Sequence, residues 1–107
     1  MLAAPRFHRV LLENDSVRVL DTIVRAGETV PLHTHNWPAV LYVVTWSDCV
    51  RRDANGVITM DSRGPAAPTP GSALWSPPLP PHTLENVGEG ELRVIAVEQK
   101  QQQAAER

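Results

Sequence analysis

Prolines and glycines divide this chain into short extended segments. Seven of its ten prolines lie between positions 63 and 81, a density that excludes a helix there and most central strand pairing, apart from the short segment 72–75. Elsewhere short β-branched runs alternate with glycine turns, and no convincing amphipathic helix is present. The pattern predicts an all-β sandwich or barrel.

Three further stretches carry a clear strand signal. Residues 17–24 alternate in the strand manner and are rich in β-branched side chains, and residues 39–46 form a nearly continuous apolar run that is typical of a buried strand. Between residues 49–53 and 57–62, the Asn55-Gly56 pair is a strong hairpin signal because both residues tolerate positive φ. We therefore expect an outer hairpin.

The C-terminal part predicts a closing strand followed by a polar tail. Residues 91–98 are extended and apolar on both faces, so this strand is expected to be mostly buried. One face carries Leu92, Val94 and Ala96, and the other carries Arg93, Ile95 and Val97. Residues 99–107 are Gln-rich and are expected to be frayed or to form a short surface helix without a site.

Size and charge exclude several classes of protein. A length of 107 residues fits one domain, and ten Lys and Arg against twelve Asp and Glu leave a net charge of −2 with no basic run, which argues against nucleic acid as a partner. No apolar stretch approaches the roughly 20 residues that cross a bilayer, and residues 1–6 lack the basic and apolar blocks of a secretory signal. The single Cys49 cannot form a disulfide within the chain, and we interpret it as a packed strand residue rather than a nucleophile. We expect a cytoplasmic protein with no membrane partner.

Two histidines at alternate positions are the first candidate for chemistry. On an extended strand His33 and His35 point to the same face, and Pro31 just upstream favours extended backbone before it. The pair is open to two interpretations. It can present a chelate for a metal, or it can lie on a half-exposed strand with both histidines facing solvent.

The spacing around this pair resembles the cupin family. Its two motifs are G-x5-H-x-H-x3/4-E-x6-G and G-x5-P-x-G-x2-H-x3-N, and seven of their positions are matched here by Gly27, His33, His35, Gly71, Pro77, His82 and Asn86. The resemblance covers residues 15–98 and implies a cupin jelly-roll barrel, with 1–14 as an N-terminal segment and 99–107 as a tail. In that fold the two motifs lie on neighbouring strands, which would bring His82 to the histidine pair.

Three motif positions depart from the family pattern. The glutamate is expected at Ala39 or Val40, neither of which can bind a metal, and the two motif glycines fall at Trp46 or Ser47 and at Leu79. The resemblance then implies a divalent transition metal (Fe, Zn, Ni or Mn) held by three histidines, His33, His35 and His82, with positions open for a small-molecule ligand. The missing carboxylate leaves an extra positive charge, which favours an anionic ligand.

Several functions are compatible with this resemblance. Some cupins, including thiol dioxygenases and a diketone-cleaving dioxygenase, hold iron with three histidines, so we expect a three-histidine Fe(II) dioxygenase or related metalloenzyme acting on a small anionic metabolite. The alternative is a non-catalytic cupin module that binds a small molecule. A barrel that binds no metal and a structural domain that pairs through its sheet edges also stay open, and we expect a homodimer.

Other side chains are candidates for the pocket or for structure. Trp37, Trp75 and Tyr42 are candidate substrate-pocket residues, whereas Trp46 is expected in the core. Asn86 is expected to fix a turn by bonding local backbone. His8 lies outside both motifs and is expected to be a surface histidine.

Overall fold

The structure is a computed structural model that describes residues 4–64 and 67–100. Within these ranges the chain forms nine strands and no helix, and therefore no helix that could cross a membrane. The strands are β1 (His8–Glu13), β2 (Val17–Val24), β3 (Thr29–His35), β4 (Ala39–Thr45), β5 (Cys49–Asp53), β6 (Ile58–Asp61), β7 (Ala73–Ser76), β8 (Leu79–Asn86) and β9 (Leu92–Gln99). The predicted all-β class is confirmed, and most of the tail expected at 99–107 lies outside the described residues.

The strands form two antiparallel sheets packed face to face. One has five strands in the order β1-β2-β9-β4-β7, and the other has four in the order β3-β8-β5-β6. The core cluster between them draws Val24 and Leu92 from the first sheet and Val30 and Cys49 from the second. Burying one apolar face of each sheet against the other is the usual way in which two antiparallel sheets form a domain.

Strand β9 lies at the centre of the five-stranded sheet. It pairs with β2 on one side and with β4 on the other, so the last strand joins two early ones. Leu92, Val94 and Ala96 share the inward face, as predicted from their spacing. Every side chain on this face of β9 is therefore directed at the space between the sheets.

The predicted hairpin is confirmed, and the proline-rich segment ends earlier than expected. β5 pairs with β6 across Asn55-Gly56, and Gly56 has a φ of 84°. β8 already begins at Leu79, inside the stretch expected to be a loop. Pro80 and Pro81 lie where the β3–β8 register is irregular. Regular hydrogen bonding between the strands is interrupted there, so the missing proline N–H groups are tolerated.

Asn86 joins three parts of the barrel at the end of β8. It is almost fully buried, and its Nδ2 donates to the carbonyl oxygens of Val24 and Gly90, each at 2.9 Å. Its Oδ1 accepts from the Ser47 hydroxyl at 2.7 Å and from the Gly88 amide at 3.0 Å. The predicted turn-fixing role of Asn86 is confirmed, and its bonds also reach β2 and the loop after β4.

We predict that Asn86→Ala lowers the free energy of unfolding by about 2–4 kcal/mol, because it leaves several buried polar groups without partners. Urea unfolding monitored by tryptophan fluorescence measures the change. Asn14→Ala is the matched control, since exposed Asn14 accepts only from the Ser16 and Val17 amides of an exposed turn. A loss for Asn86→Ala no larger than that of the control would contradict the assignment.

Candidate metal centre

Antiparallel pairing of β3 with β8 brings the three predicted ligands together. His33 and His82 are direct cross-strand partners although they are 49 positions apart in the sequence, and their ring centroids are 4.2 Å apart. The His35 ring lies 4.7 Å from that of His33 and 5.5 Å from that of His82. The half-buried His33 and His35 and the buried His82 thus form one cluster on the inner side of the smaller sheet.

His8 is a fourth member of this cluster, and the expectation that it lies on the surface is wrong. It is 6% exposed, and its ring centroid lies 5.5 Å from that of His33 and 5.4 Å from that of His35. One ring nitrogen from each of these three residues lies within 4.8 Å of the others. Sequence analysis missed His8 because no motif covers the N-terminal segment. In the structure this segment forms β1, in which His8 pairs with Thr22 of β2.

Local hydrogen bonds fix the tautomer of three of these rings. The Nδ1 atoms of His33, His82 and His8 lie 2.8, 2.7 and 3.1 Å from the carbonyl oxygens of Pro31, Pro80 and Ala4, respectively. A carbonyl oxygen can only accept, so each Nδ1 carries the hydrogen, and Nε2 is the nitrogen that would coordinate a metal. Such backing of the ring by an outer acceptor is typical of metal-binding histidines.

His35 is backed by a carboxylate instead. Its Nδ1 lies 3.4 Å from Oε2 of Glu98, while its Nε2 lies 3.1 Å from Nε2 of His33. With hydrogen on both Nδ1 atoms, two Nε2 lone pairs face each other, an arrangement that a cation between them would stabilise. Two nitrogens bound at ~2.1 Å to one ion would be roughly 3.0–3.4 Å apart, so the donors present fit a metal.

The ring environments favour the neutral, ligating form. Burial lowers the pKa of His33 to about 4 and also lowers the pKa of His82. Burial alone would raise the pKa of Glu98, but hydrogen bonds with His35 and Arg18 bring it below its ordinary value. At neutral pH two imidazoles are therefore uncharged beside an ionised carboxylate, as metal binding requires.

The cluster lies in the wall of an inner cavity of about 160 Å³ between the sheets. Most of the other lining side chains are apolar, among them Val30, Leu41, Met60, Leu84 and Val94. Ala39, at one of the two positions where the glutamate was expected, lines this cavity and offers no carboxylate. The space beside the histidines is therefore small and largely apolar.

An outer cavity of about 490 Å³ shares part of this lining. The two cavities have Leu41, Trp46, Arg51, Met60, Ser76, Leu79 and Val94 in common. Of the predicted pocket residues, Trp37 lines the inner cavity and Trp75, 60% exposed, lines the outer one. Tyr42 is 48% exposed and belongs to neither lining among the described residues.

Two hydrogen-bond donors shared by both cavities lack a partner. Within the described ranges, the half-buried Arg51 side chain makes no hydrogen bond or ion pair, and the indole Nε1 of Trp46 is buried without an acceptor. Burial lowers the pKa of Arg51, which reflects the cost of keeping a cation there without a counter-charge. Sequence analysis did not identify Arg51. It expected Trp46 to lie in the core, and Trp46 does pack against the core cluster.

Cys49 also lines the inner cavity, and it is buried and unpaired. Burial raises the pKa of its thiol, so the thiolate is disfavoured. Its environment agrees with a packed strand residue rather than a nucleophile.

Comparison with known proteins identifies the architecture. No family model and no curated protein matches the chain. Among solved structures, a cupin domain from Bordetella pertussis Tohama I superposes with a TM-score of 0.72 at 20% identity, covering 88% of this chain and 92% of that one. An RmlC-like cupin with a double-stranded β-helix fold from Methanocaldococcus jannaschii gives 0.63 at 14% identity, over 86% and 77% of the two chains.

A polyketide cyclase from Streptomyces resistomycificus gives a TM-score of 0.58 at 21% identity, over 86% of this chain and 63% of that one. These neighbours share the two-sheet jelly roll of the present chain. The predicted cupin fold is therefore confirmed.

We predict that the metal-free protein loses stability as the pH falls from 7 to 5, because His33 resists protonation only when folded. Its pKa is near 6.5 in the unfolded chain and about 4 in the folded one. The unfolded chain thus binds more protons than the folded one in this window. The free energy of unfolding is therefore highest above pH 6.5, where His33 is neutral in both states, and it falls as the pH drops toward 4. With allowance for solvent screening we expect about 1–2 kcal/mol from His33 by pH 5.

Urea unfolding with a chelator present, at pH 7 and at pH 5, measures this loss. His33→Gln should lose less stability than the wild type over the same interval, since ionised carboxylates elsewhere contribute equally to both proteins. Equal losses in the two proteins would contradict the prediction.

Proposed function

We propose that this chain, which has the cupin fold, holds a divalent transition metal on its histidine cluster and acts on a small anionic metabolite, as a three-histidine Fe(II) dioxygenase or a related metalloenzyme. The observation that carries the proposal is the shared orientation of the rings. Each of the four imidazoles has an acceptor at Nδ1, which leaves Nε2 available to bind a metal. Imidazole donors suit iron, zinc and nickel.

The bound metal would supply Lewis acidity and, if it is iron, the capacity to react with dioxygen. His33 and His35 would hold it together with His8, whose ring nitrogen lies within 4.8 Å of theirs, and the adjacent His82 ring would contribute a further nitrogen. The apolar wall of the inner cavity would exclude water and strengthen electrostatic interactions at the site.

The cavities support a small substrate. The inner cavity of about 160 Å³ is close to the ~150 Å³ of an engineered apolar cavity that takes up benzene. The part of the substrate beside the histidines would then be no larger than a single six-membered ring. Any larger portion would lie in the outer cavity.

Arg51 and Trp46 support an anionic substrate. Both line the two cavities, and each has a donor without a partner in the described structure. A carboxylate can accept from a guanidinium and an indole N–H together, and charge-assisted hydrogen bonds of this kind are the stronger ones. The anionic end of the substrate would then lie where the cavities meet, with its reacting part toward the histidines.

We expect the protein, purified without a tag or chelator, to contain close to one transition metal ion per chain by elemental analysis. His33→Ala and His82→Ala should each lose most of it, whereas Thr34→Ala is the matched control because Thr34 is exposed on the same strand. Full metal content in both histidine variants would eliminate the proposed centre.

If the wild type contains iron, the next experiment is an oxygen-consumption assay with small thiols, diketones and hydroxy-acids. Zinc or nickel would direct the assays to non-redox chemistry. Ligand binding that persists without metal, combined with no turnover, would favour the alternative of a non-catalytic binding module.

We predict that Arg51→Gln weakens binding of small carboxylates by about 10–100-fold, since a hydrogen bond to a charged group is worth ~1.5–3 kcal/mol. Benzoate and benzamide, measured by calorimetry, are suitable probes because they differ in charge but little in shape. Arg52→Gln is the matched control, since Arg52 is the next residue on β5 and pairs with Glu85 at 2.9 Å. Equal benzoate affinity in Arg51→Gln and wild type would contradict the role of Arg51.

A further inference from the structure

Glu98 lies directly beside a position at which the first motif would place its glutamate. Ala39 on β4 and Glu98 on β9 are cross-strand partners, and both side chains line the inner cavity. Directly opposed residues on one face of an antiparallel pair have their Cβ atoms about 4.5–5.5 Å apart. Glu98 is the only acidic residue in the described lining of this cavity.

The Glu98 carboxylate is held between a cation and the cluster. It is 2% exposed, its Oε1 accepts from Arg18 Nε at 2.7 Å, and its Oε2 faces His35 Nδ1 at 3.4 Å. The Arg18 guanidinium lies 5.0 Å from the centre of the Trp37 ring, which limits its movement. A buried carboxylate would be costly without such partners.

We propose that Glu98 replaces the missing motif glutamate from the neighbouring strand, as a positioning residue that holds His35 and returns a negative charge to the site. This inference rests on the proposed metal centre. Glu98 contacts the Nδ1 side of His35, whereas the Nε2 side faces His33, so the carboxylate acts through the ring and is not a ligand.

The charge distinguishes His35 from the other three histidines. Their Nδ1 atoms are backed by neutral backbone carbonyls, and among the described contacts His35 is the one backed by a carboxylate. A carboxylate partner fixes the tautomer and increases the basicity of the coordinating nitrogen, and loss of such a partner typically costs 10–100-fold in metal affinity. In this way a site built from neutral ligands alone gains a carboxylate behind one of them, and the Arg18 ion pair offsets part of its charge.

The test is metal affinity in Glu98→Gln, measured by titrating Zn²⁺ and Co²⁺ against a competing chelator. Glutamine keeps the shape and can still accept from Arg18 but removes the charge, so we expect affinity about 10–100-fold weaker than in the wild type. Asp21→Asn is the matched control, because Asp21 is equally buried on the adjacent β2, pairs with Arg93 at 2.8 Å and lines neither cavity. It should lose stability while its metal affinity stays within about threefold of the wild type.

A reciprocal variant tests the replacement itself. Adding Ala39→Glu to Glu98→Gln returns a carboxylate to the motif position and should restore most of the affinity, whereas Ala39→Gln in the same background should not. If the double variant does not fold, Glu98→Asp serves instead, since it keeps the charge on a shorter side chain and should bind metal more tightly than Glu98→Gln.

The outcomes separate the two proposals. A wild type that binds neither metal overturns the metal centre and this inference with it. A wild type that binds metal, with Glu98→Gln equal to it, overturns only the role of Glu98. Weak binding in Glu98→Gln that neither Ala39→Glu nor Glu98→Asp improves would show a structural role and overturn the replacement.

Discussion

The candidate site depends on the antiparallel pairing of β3 with β8, which sets His33 opposite His82. Both histidines follow a proline by two positions, and in both the proline carbonyl accepts from the ring Nδ1. Proline lacks an N–H, and the β3–β8 ladder is irregular around these residues. The two strands therefore repeat one local arrangement, Pro-x-His, that orients a ring from the backbone alone. The rings are therefore oriented by local hydrogen bonds and brought together by strand register.

This arrangement has an energetic cost that the rest of the barrel offsets. Burying imidazoles together lowers the pKa of His33 to about 4, so the folded state resists charging there. Asn86 with its four hydrogen bonds and the ion pair of buried Asp21 with Arg93 stabilise the strands that carry or adjoin the site. A small barrel buries little apolar surface, so hydrophobic burial contributes only a modest part of its stability. Polar networks of this kind add stability and fix the strand register that the cluster requires.

Sequence patterns predicted most of the strands and the proximity of His33, His35 and His82, because period-two alternation and motif spacing are readable from the sequence. The face of β9 was predicted from Leu92, Val94 and Ala96, and one further step of the same period reaches Glu98, so the signal for Glu98 was present but was not followed to the end of the strand. His8 had no such signal. Its place in the cluster depends on the pairing of β1 with β2, and no motif in the sequence marks that register. Arg51 could not be recognised either, since the difference between it and Arg52 is only which face of β5 each occupies.

Charge balance around the cavities links these residues to a substrate class. Glu98 is compensated by Arg18, which is not among the residues that line the inner cavity, so the described lining contains one arginine without a partner, Arg51. A metal on neutral imidazoles would add positive charge to the same small space, and the carboxylate behind His35 offsets only part of it. Partial burial of the unpaired Arg51 guanidinium costs free energy, and that cost is relieved when an anion enters. The preference for an anionic ligand therefore follows from the protein's own charges, whichever transition metal the cluster holds.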